Sequence, residues 1–255
     1  MTGTVSEHCS HFGAAICYGR HMAIDGVRAR TRQAITDEIV AEARRQLAEV
    51  GPAALSLRSV ARSVGMVSSG VYRYFASRDE LLTALITEAY DAIGTAAEQA
   101  SRRSASKAPL DRWLATCHAI RRWARQHPHE YALVYGTPVP GYQAPRDTVA
   151  PAQRVTRALA SIAADAARDG RLRPPGGVDV EVPAGLRSEL TAIGEELGGA
   201  LSAPDVVRLV AAWSQVFGLI TFELFGQTAN AITAHERLFD ATARTMGLLM
   251  GLAER

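Results

Sequence analysis

The sequence predicts an all-α protein with a small N-terminal domain and a larger C-terminal domain. Two short helical patterns lie around Gly65 in residues 56–82, and a long helical pattern follows them. Beyond this stretch the apolar residues keep helical spacing. The interruptions are rich in Pro and Gly, at residues 136–151 and 174–185, which is typical of loops between helices.

The first helix of the N-terminal domain is predicted from about Arg32 to Val50, where the Gly51-Pro52 pair stops it. We expect this helix to brace the two short helices that follow. Its buried stripe is expected to consist of Ile35, Ile39, Val40, Ala43 and Leu47.

The two short helices have the layout of a helix-turn-helix, which presents its second helix to the major groove of DNA. Ser56 is placed to cap the first of them, and Gly65 is free to take the positive φ that ends it. The second is expected at roughly Ser68 to Phe75. A capping box at Ser77–Glu80 then opens a long helix, predicted from Arg78 to about Gln99.

Positive charge is concentrated on this stretch. Residues 28–78 contain nine arginines and four acids, a net charge of +5, whereas the whole chain carries +2 and the remainder therefore −3. A basic excess on a helix-turn-helix is the electrostatic pattern expected of a DNA-binding surface. The alternative is a solvated basic face on an ordinary helical hairpin, and the helix-turn-helix spacing favours DNA.

Residues 61–82, A-R-S-V-G-M-V-S-S-G-V-Y-R-Y-F-A-S-R-D-E-L-L, resemble the DNA-binding motif of the TetR-type one-component regulators. A weaker likeness covers residues 127–142, which are similar to the effector domain called WHG. The chain departs from the motif at Val67 and Ser68, where many members have Ser or Thr followed by Lys or Pro. The cap of the second short helix is therefore expected to shift to Ser68.

The resemblance implies phosphate contacts from Tyr72, Tyr74 and Arg78. We expect a further phosphate contact from Arg58, on the first short helix. Gly70 lets the helix backbone approach the groove, and an arginine can bond a guanine through two hydrogen bonds. The side expected to face base edges consists of Ser68, Ser69, Gly70 and Arg73.

Residues 1–30 are interpreted as a disordered tail, followed by a DNA-binding domain at 31–91 and an effector and dimerisation domain at 92–255. His8, Cys9, His11, Cys17 and His21 are potential zinc ligands in the tail, but their spacing matches no strong zinc pattern, so no metal site is predicted. Three cysteines without a framework spacing, and a start that lacks the pattern of a secretory signal, favour the cytoplasm.

Six helices are predicted in the C-terminal domain: Leu110 to Gln126, Glu130 to Tyr135, Ala152 to Asp169, Leu186 to Leu197, 204–225 and Thr233 to Leu252. The helix at 204–225 is apolar nearly all round, so it must be covered on both sides. No apolar run reaches the ~18 residues of a membrane helix, and we expect a partner subunit rather than a membrane to cover it. The alternative is burial within one subunit. The interface is predicted from Trp213, Val216, Phe217, Ile220, Leu224 and Leu249.

Catalytic motifs are absent from the sequence: there is no G-x-S-x-G, P-loop, H-E-x-x-H or C-x-x-C. Neither catalysis nor a cofactor is therefore expected. Aromatic residues with polar groups lie around the Pro-rich break, where they either fill an irregular core or line a ligand cavity. The resemblance favours a pocket for an apolar or aromatic small molecule, lined by Trp113, Trp123, Tyr131, Tyr135 and Tyr142.

These observations predict a homodimeric transcriptional regulator that binds a palindromic duplex operator, most simply a repressor released by a small molecule. One alternative is a helical small-molecule-binding protein that has kept an unused helix-turn-helix. Another is a metal-responsive regulator that uses the N-terminal Cys and His residues. Salt dependence of DNA binding distinguishes the first alternative, and metal content of the purified protein distinguishes the second.

Overall fold

A computed structural model describes the backbone of residues 11–176 and 180–252, and the side chains of residues 27–176 and 180–252. All the elements it describes are helices, as predicted. The chain divides into two compact units, with the boundary between Leu81 and Leu82. The sequence places this boundary later, at residue 91. The observed boundary lies inside a continuous helix. The apolar residues of that helix keep the same spacing along its length, so the sequence does not show where the helix leaves one unit and enters the other.

From residue 11 onward the N-terminal unit is built around three helices, and a fourth begins in it and continues into the C-terminal unit. Both the first and the third helix pack against the second. The bounds are α1 at His11–Ala54, α2 at Leu57–Ser63, α3 at Ser68–Val71 and α4 at Arg78–Arg103.

Helix α1 is longer than predicted. Residues 11–30, interpreted from the sequence as disordered tail, are helical, and that part of the interpretation is wrong. The segment contains several Ala and Arg residues, which favour helix, and a glycine costs a helix only about 1 kcal/mol relative to Ala without ending it. Residues 1–10 lie outside the described chain. The predicted stop is confirmed as a break, because Gly51 has φ 74° and ψ 169°.

Within the described residues the C-terminal unit contains the rest of α4 and six further α-helices. They are α5 at Pro109–Gln126, α6 at Pro128–Tyr135, α7 at Val149–Arg168, α8 at Ala184–Glu196, α9 at Ala203–Leu224 and α10 at His235–Met250. No helix was expected in residues 136–151, yet a turn of 3-10 helix at Arg146–Thr148 leads directly into α7. Pro151 is tolerated because it lies in the first turn of α7, where an N–H has no partner within the helix.

The core of the C-terminal unit is densest where α10 packs against α9 and α5. Gly247 permits the close approach of α10 to α5, because a Cβ there would lie 2.5 Å from Leu110 Cδ1. The indole Nε1 of Trp113 donates to the main-chain oxygen of Ala243 over 2.9 Å, which fixes α5 against α10. This hydrogen bond satisfies a polar group that the core would otherwise leave buried and unpaired.

Helix α9 is long and apolar enough to cross a membrane by length and composition alone, which corrects the expectation that no segment would be. A core helix of a folded domain meets the same criterion, and Val206, Leu209, Val216 and Ile220 of α9 are buried within the C-terminal unit. Its start is fixed by a capping box, in which Ser202 Oγ accepts from the backbone N–H of Asp205 and the Asp205 carboxylate accepts from that of Ser202.

Candidate nucleic-acid interface and ligand cleft

The turn between α2 and α3 forms as predicted. Gly65 has a φ of +70°, and the N–H of Met66 bonds to the main-chain oxygen of Ala61 over 2.8 Å. Val71 and Phe75 are buried on the inner side. Ser56 is at the N-cap of α2, but its side chain makes no capping hydrogen bond.

Helix α3 is shorter than expected. Its last residue is Val71, and a turn carries the chain on to Phe75, whose N–H still bonds to the main-chain oxygen of Val71 over 3.0 Å. The N-cap is Val67, so the expected shift of the cap to Ser68 is not observed. Valine has no side-chain acceptor, and the first N–H groups of α3 are therefore open to solvent or a ligand.

Four of the side chains assigned to DNA share an exposed surface at α3 and the turn after it: Ser68, Ser69, Tyr72 and Arg73. We call these four residues the reading surface. Arg58 on α2 is also exposed, and Tyr74 is half-buried. Gly70 was expected to face base edges but is buried, and a Cβ there would lie 3.3 Å from Met66 Cε. Its small size serves the packing of α3 instead.

Arg32 of α1 supports the chain next to the reading surface. Its Nη2 donates to the main-chain oxygen of Arg73 over 2.9 Å, and its guanidinium lies 5.3 Å from the ring centroid of Tyr74. Sequence reasoning counted Arg32 only as a positive charge. A contact between residues 41 positions apart leaves no signal in the spacing of a single sequence.

Arg78 was expected to hold a phosphate, but its guanidinium is bonded within the protein. It donates to the main-chain oxygen of Pro52 over 2.6 Å and to that of Leu55 over 3.1 Å. These carbonyls follow the break in α1, where helical partners are missing, and a cation is the natural donor for such groups. Arg78 therefore has a structural role in this unit, which the sequence did not predict.

Helix α4 starts at a modified capping box. Ser77 Oγ accepts from the backbone N–H of Glu80 over 3.1 Å, as predicted. The Glu80 carboxylate accepts from the N–H of Ala76 over 2.6 Å, one residue before the usual position. The first turn of α4 is thus fixed next to Arg78.

A polar cluster joins α1 to α2. The buried amide of Gln46 donates to Glu42 over 2.7 Å and to Ser63 Oγ over 3.3 Å. The hydrogen bonds from Arg45 lower the pKa of Glu42 to about 2, so this carboxylate stays charged at neutral pH.

A cleft of about 660 Å³ lies in the C-terminal unit beside the Pro-rich segment. Of the five aromatic residues assigned to a pocket, Tyr135 and Tyr142 line it. Ile86 and Tyr90 of α4 form one side, and Trp213 of α9 also lines it. Its volume suits a drug-sized organic molecule.

The other three aromatic residues assigned to the pocket are core residues, as the alternative interpretation held. Trp113 is bonded to α10, and the hydroxyl of Tyr131 bonds to Thr221 Oγ1 over 3.0 Å and to the main-chain oxygen of Phe217 over 3.2 Å. Trp123 is buried and stacks on His127, with 5.1 Å between ring centroids. These three residues are near the Pro-rich segment 136–151 in sequence, but their positions on the helices direct their side chains into the core.

The predicted dimer interface is also corrected in part. Val216 and Ile220 are fully buried within the subunit and Phe217 is 8% exposed, so these three side chains cannot meet a partner. Trp213 and Leu224 are half-buried, and Leu249 is exposed. The large apolar side chains that α9, its C-cap and α10 expose are Val210, Phe222, Phe225, Leu248 and Leu249, and we call the last four of them the outer face.

Two polar contacts tie α5 to its neighbours: the Arg121–Glu223 pair is largely buried, whereas the His118 and Asp240 side chains are partly exposed. Arg121 makes a bidentate bond to Glu223 of α9, over 2.7 and 2.8 Å, and His118 Nε2 lies 2.9 Å from the Asp240 carboxylate of α10. Within the described residues no group of three or more His, Cys, Asp or Glu side chains is placed to hold a metal. His8 and Cys9, and the side chains of His11, Cys17 and His21, lie outside that part.

The N-terminal unit has an exposed reading surface on a basic helix-turn-helix, and the C-terminal unit has a ligand-sized cleft. A chain with both features is a DNA-binding transcriptional regulator. The family model for bacterial regulatory proteins of the tetR family matches residues 39–85, and that for the tetracyclin repressor-like C-terminal domain matches residues 113–246. The chain belongs to the TetR family. Regulators of this family bind DNA and act as dimers, a ligand-responsive repressor is typical of them, and they are not usually enzymes.

Relatives and solved structures agree with this assignment. The HTH-type transcriptional regulator Rv1816 of Mycobacterium tuberculosis is 39% identical over 223 residues, which cover 87% of this chain and 94% of that protein, and Mb1846 of Mycobacterium bovis matches equally. The crystal structure of the regulatory protein SCO4313 is 29% identical, with a TM-score of 0.67 over 86% of this chain and 97% of its own. The TetR family regulator PfmR from Thermus thermophilus shares the fold, with 17% identity and a TM-score of 0.52 over 84% and 98%.

Proposed function

We propose that the protein is a cytoplasmic repressor that binds a two-fold symmetric operator as a homodimer and is released by an uncharged small molecule. The observation that carries the proposal is the exposed reading surface, which Arg32 supports from α1. Membership of the TetR family supports the same function.

The DNA contacts divide by chemistry. Arg73 is exposed and matches the two acceptors of a guanine edge, while Ser68 and Ser69 donate at the open start of α3. Arg58 and Tyr72 are exposed beside them and bind phosphates. In a dimer the two copies of α3 enter successive major grooves about 34 Å apart, or a multiple of that distance.

The outer face is the proposed dimer interface. Phe222 is 51% exposed and Leu248 is 43% exposed, a large apolar area for a subunit to leave in water. Gly218 lies on α9 one turn before Phe222, and a Cβ there would meet no atom of the subunit within 4 Å. This small residue leaves room for a second helix to pack closely against α9, as in a four-helix bundle.

The cleft is the proposed effector site, and α4 is the element that connects it to DNA binding. Ile86 and Tyr90 of α4 line the cleft, and the first residue of the same helix, Arg78, bonds the carbonyls of Pro52 and Leu55. A ligand that displaces α4 therefore acts on the unit that carries the reading surface. A coupling of ~1–3 kcal/mol changes the affinity for operator about 5- to 150-fold.

Selection of bound sequences from random duplex DNA, followed by anisotropy titrations at several salt concentrations, tests the proposal. We expect a two-fold symmetric site and a steep loss of affinity with added salt. Arg73→Ala is expected to lose about 1–3 kcal/mol and to relax preference at one base pair. Arg237→Ala removes the same charge from an exposed position on α10 and is the matched control.

Two outcomes would contradict the proposal. Selection that returns no symmetric site argues against an operator-binding dimer. An affinity that hardly changes with salt favours the alternative, a ligand-binding protein that does not use its helix-turn-helix. Stoichiometric zinc in the purified protein would instead favour the metal-responsive alternative.

A further inference from the structure

We propose that the cleft selects uncharged ligands that carry a hydrogen-bond acceptor, and that the indole N–H of Trp213 binds that acceptor. The inference rests on the proposed ligand-responsive function, because it specifies the chemistry of the molecule that occupies the effector site. Two features of the cleft support it: an unpaired donor and a lining without charge.

The unpaired donor is the stronger of these observations. Trp213 lines the cleft, and its Nε1 is buried without a hydrogen-bond partner among the described residues, so a ligand reaches this donor only when the atoms that cover it move aside. The indole of Trp113, by contrast, donates to the main-chain oxygen of Ala243. A buried donor left unpaired costs the protein free energy, which a ligand recovers if it brings an oxygen or nitrogen acceptor to that position.

The lining of the cleft determines the charge of its ligand. None of the described residues that line it is charged, and most are aliphatic or aromatic. A carboxylate or an ammonium buried there would lose its hydration without gaining an ion pair. The cleft therefore disfavours both anions and cations of the same shape as a bound neutral ligand.

Two of the tyrosine hydroxyls in the lining are already bonded within the protein. The hydroxyl of Tyr90 donates to the main-chain oxygen of Val134 over 3.2 Å, and that of Tyr142 is 2.9 Å from Thr83 Oγ1. Burial raises the pKa of Tyr135, so its phenol stays protonated and remains a donor.

Trp213 also connects the ligand to the packing of α9. Its ring meets Phe217 edge-on at 5.9 Å between centroids, and Phe217 lies 4.6 Å from the ring of Tyr135. A ligand bonded to the Trp213 indole therefore contacts α9 through this aromatic chain, and α4 through the opposite lining of the cleft.

Three diphenyl compounds of similar shape test the inference by calorimetric titration of the full-length protein without DNA. Benzophenone carries a carbonyl acceptor, diphenylmethane has the same skeleton without it, and 2-benzoylbenzoate adds a negative charge. We expect benzophenone to bind about tenfold tighter than diphenylmethane, because it satisfies the indole donor. A merely apolar cleft would instead favour diphenylmethane, the less polar compound, and 2-benzoylbenzoate should bind at least tenfold more weakly than benzophenone.

The matched variants are Trp213→Phe, which keeps an aromatic ring but removes the N–H, and Trp123→Phe, outside the cleft. Trp213→Phe should erase the preference for benzophenone, and Trp123→Phe should keep it. The inference is overturned if benzophenone does not bind, if diphenylmethane binds as tightly to the wild type, or if Trp213→Phe retains the preference. Because no DNA is present, such a failure is distinct from a failure of operator binding.

Discussion

The guanidinium of Arg78 bonds the main-chain oxygens of Leu55 and Pro52, over 3.1 and 2.6 Å, and so ties the first turn of α4 to the end of α1. This link lies entirely within the N-terminal unit. It joins the helix that lines the ligand cleft to the segment that leads into α2. We therefore assign Arg78 to the stability of the helix-turn-helix, and in the proposed ligand response it links α4 to this unit.

Arg78→Ala is expected to destabilise the N-terminal unit by about 1–3 kcal/mol, because two carbonyls lose a charged donor. Hydrogen exchange of α2 and α3 measures this effect locally. Operator affinity should fall for all sequences alike, with an unchanged slope of affinity against salt. Arg62→Ala, at an exposed position of α2, is the control for the lost charge. If stability is unchanged and the salt slope falls by about 1, Arg78 binds a phosphate after all.

Substitutions on α9 distinguish the outer face from the core. Phe222→Asp should give a folded monomer, because it places a charge in the proposed dimer interface without disturbing the subunit core. Val216→Ala should leave a dimer but lower the free energy of unfolding by roughly 0.5–3 kcal/mol, because it opens a small cavity. Light scattering and thermal unfolding measure the two effects. A dimer that survives both Phe222→Asp and Leu248→Asp would place the interface elsewhere.

Replacing only one residue of the Arg121–Glu223 pair is expected to lower the free energy of unfolding more than replacing both. Arg121→Met leaves the Glu223 carboxylate in a nearly buried site, and such a loss costs up to ~3–5 kcal/mol. The cost should stay below that limit, since Arg125 remains 3.4 Å from the same carboxylate. Chemical denaturation of Arg121→Met and of the double variant Arg121→Met/Glu223→Leu measures it. The double variant should recover most of the stability, and equal losses in both variants would contradict this explanation.

Glu98 predicts a pH dependence of stability. Hydrogen bonds from Arg154, both 2.8 Å, lower the pKa of Glu98 in the folded protein below its ordinary value. Its contribution to stability is therefore present above the unfolded pKa of about 4.3 and is lost as the pH falls through the folded pKa. Glu98→Gln should lower the free energy of unfolding by roughly 0.5–1 kcal/mol at pH 7, with a smaller difference below pH ~4. Glu189→Gln, on the exposed side of α8, should show no such trend.

Local patterns in the sequence predicted most of the helices and the all-α fold class. Gly65 takes a positive φ because only a glycine does so without strain, and Ser202 and Asp205 cap α9 through contacts three residues apart. The motif at residues 61–82 was specific enough to indicate the TetR family. Such features depend on neighbours along the chain, so one sequence is enough to reveal them.

Tertiary structure alone decided the roles of residues whose partners are distant in sequence. Arg78 and Arg32 bond carbonyls 23 and 41 positions away, so their charge suggested DNA while their geometry shows internal support. Trp213 and Val216 lie on the same apolar helix, yet one lines the cleft and the other is in the core. Periodicity shows that α9 is apolar nearly all round, but the side that meets the core depends on where α8 and α10 pack, which no local pattern specifies.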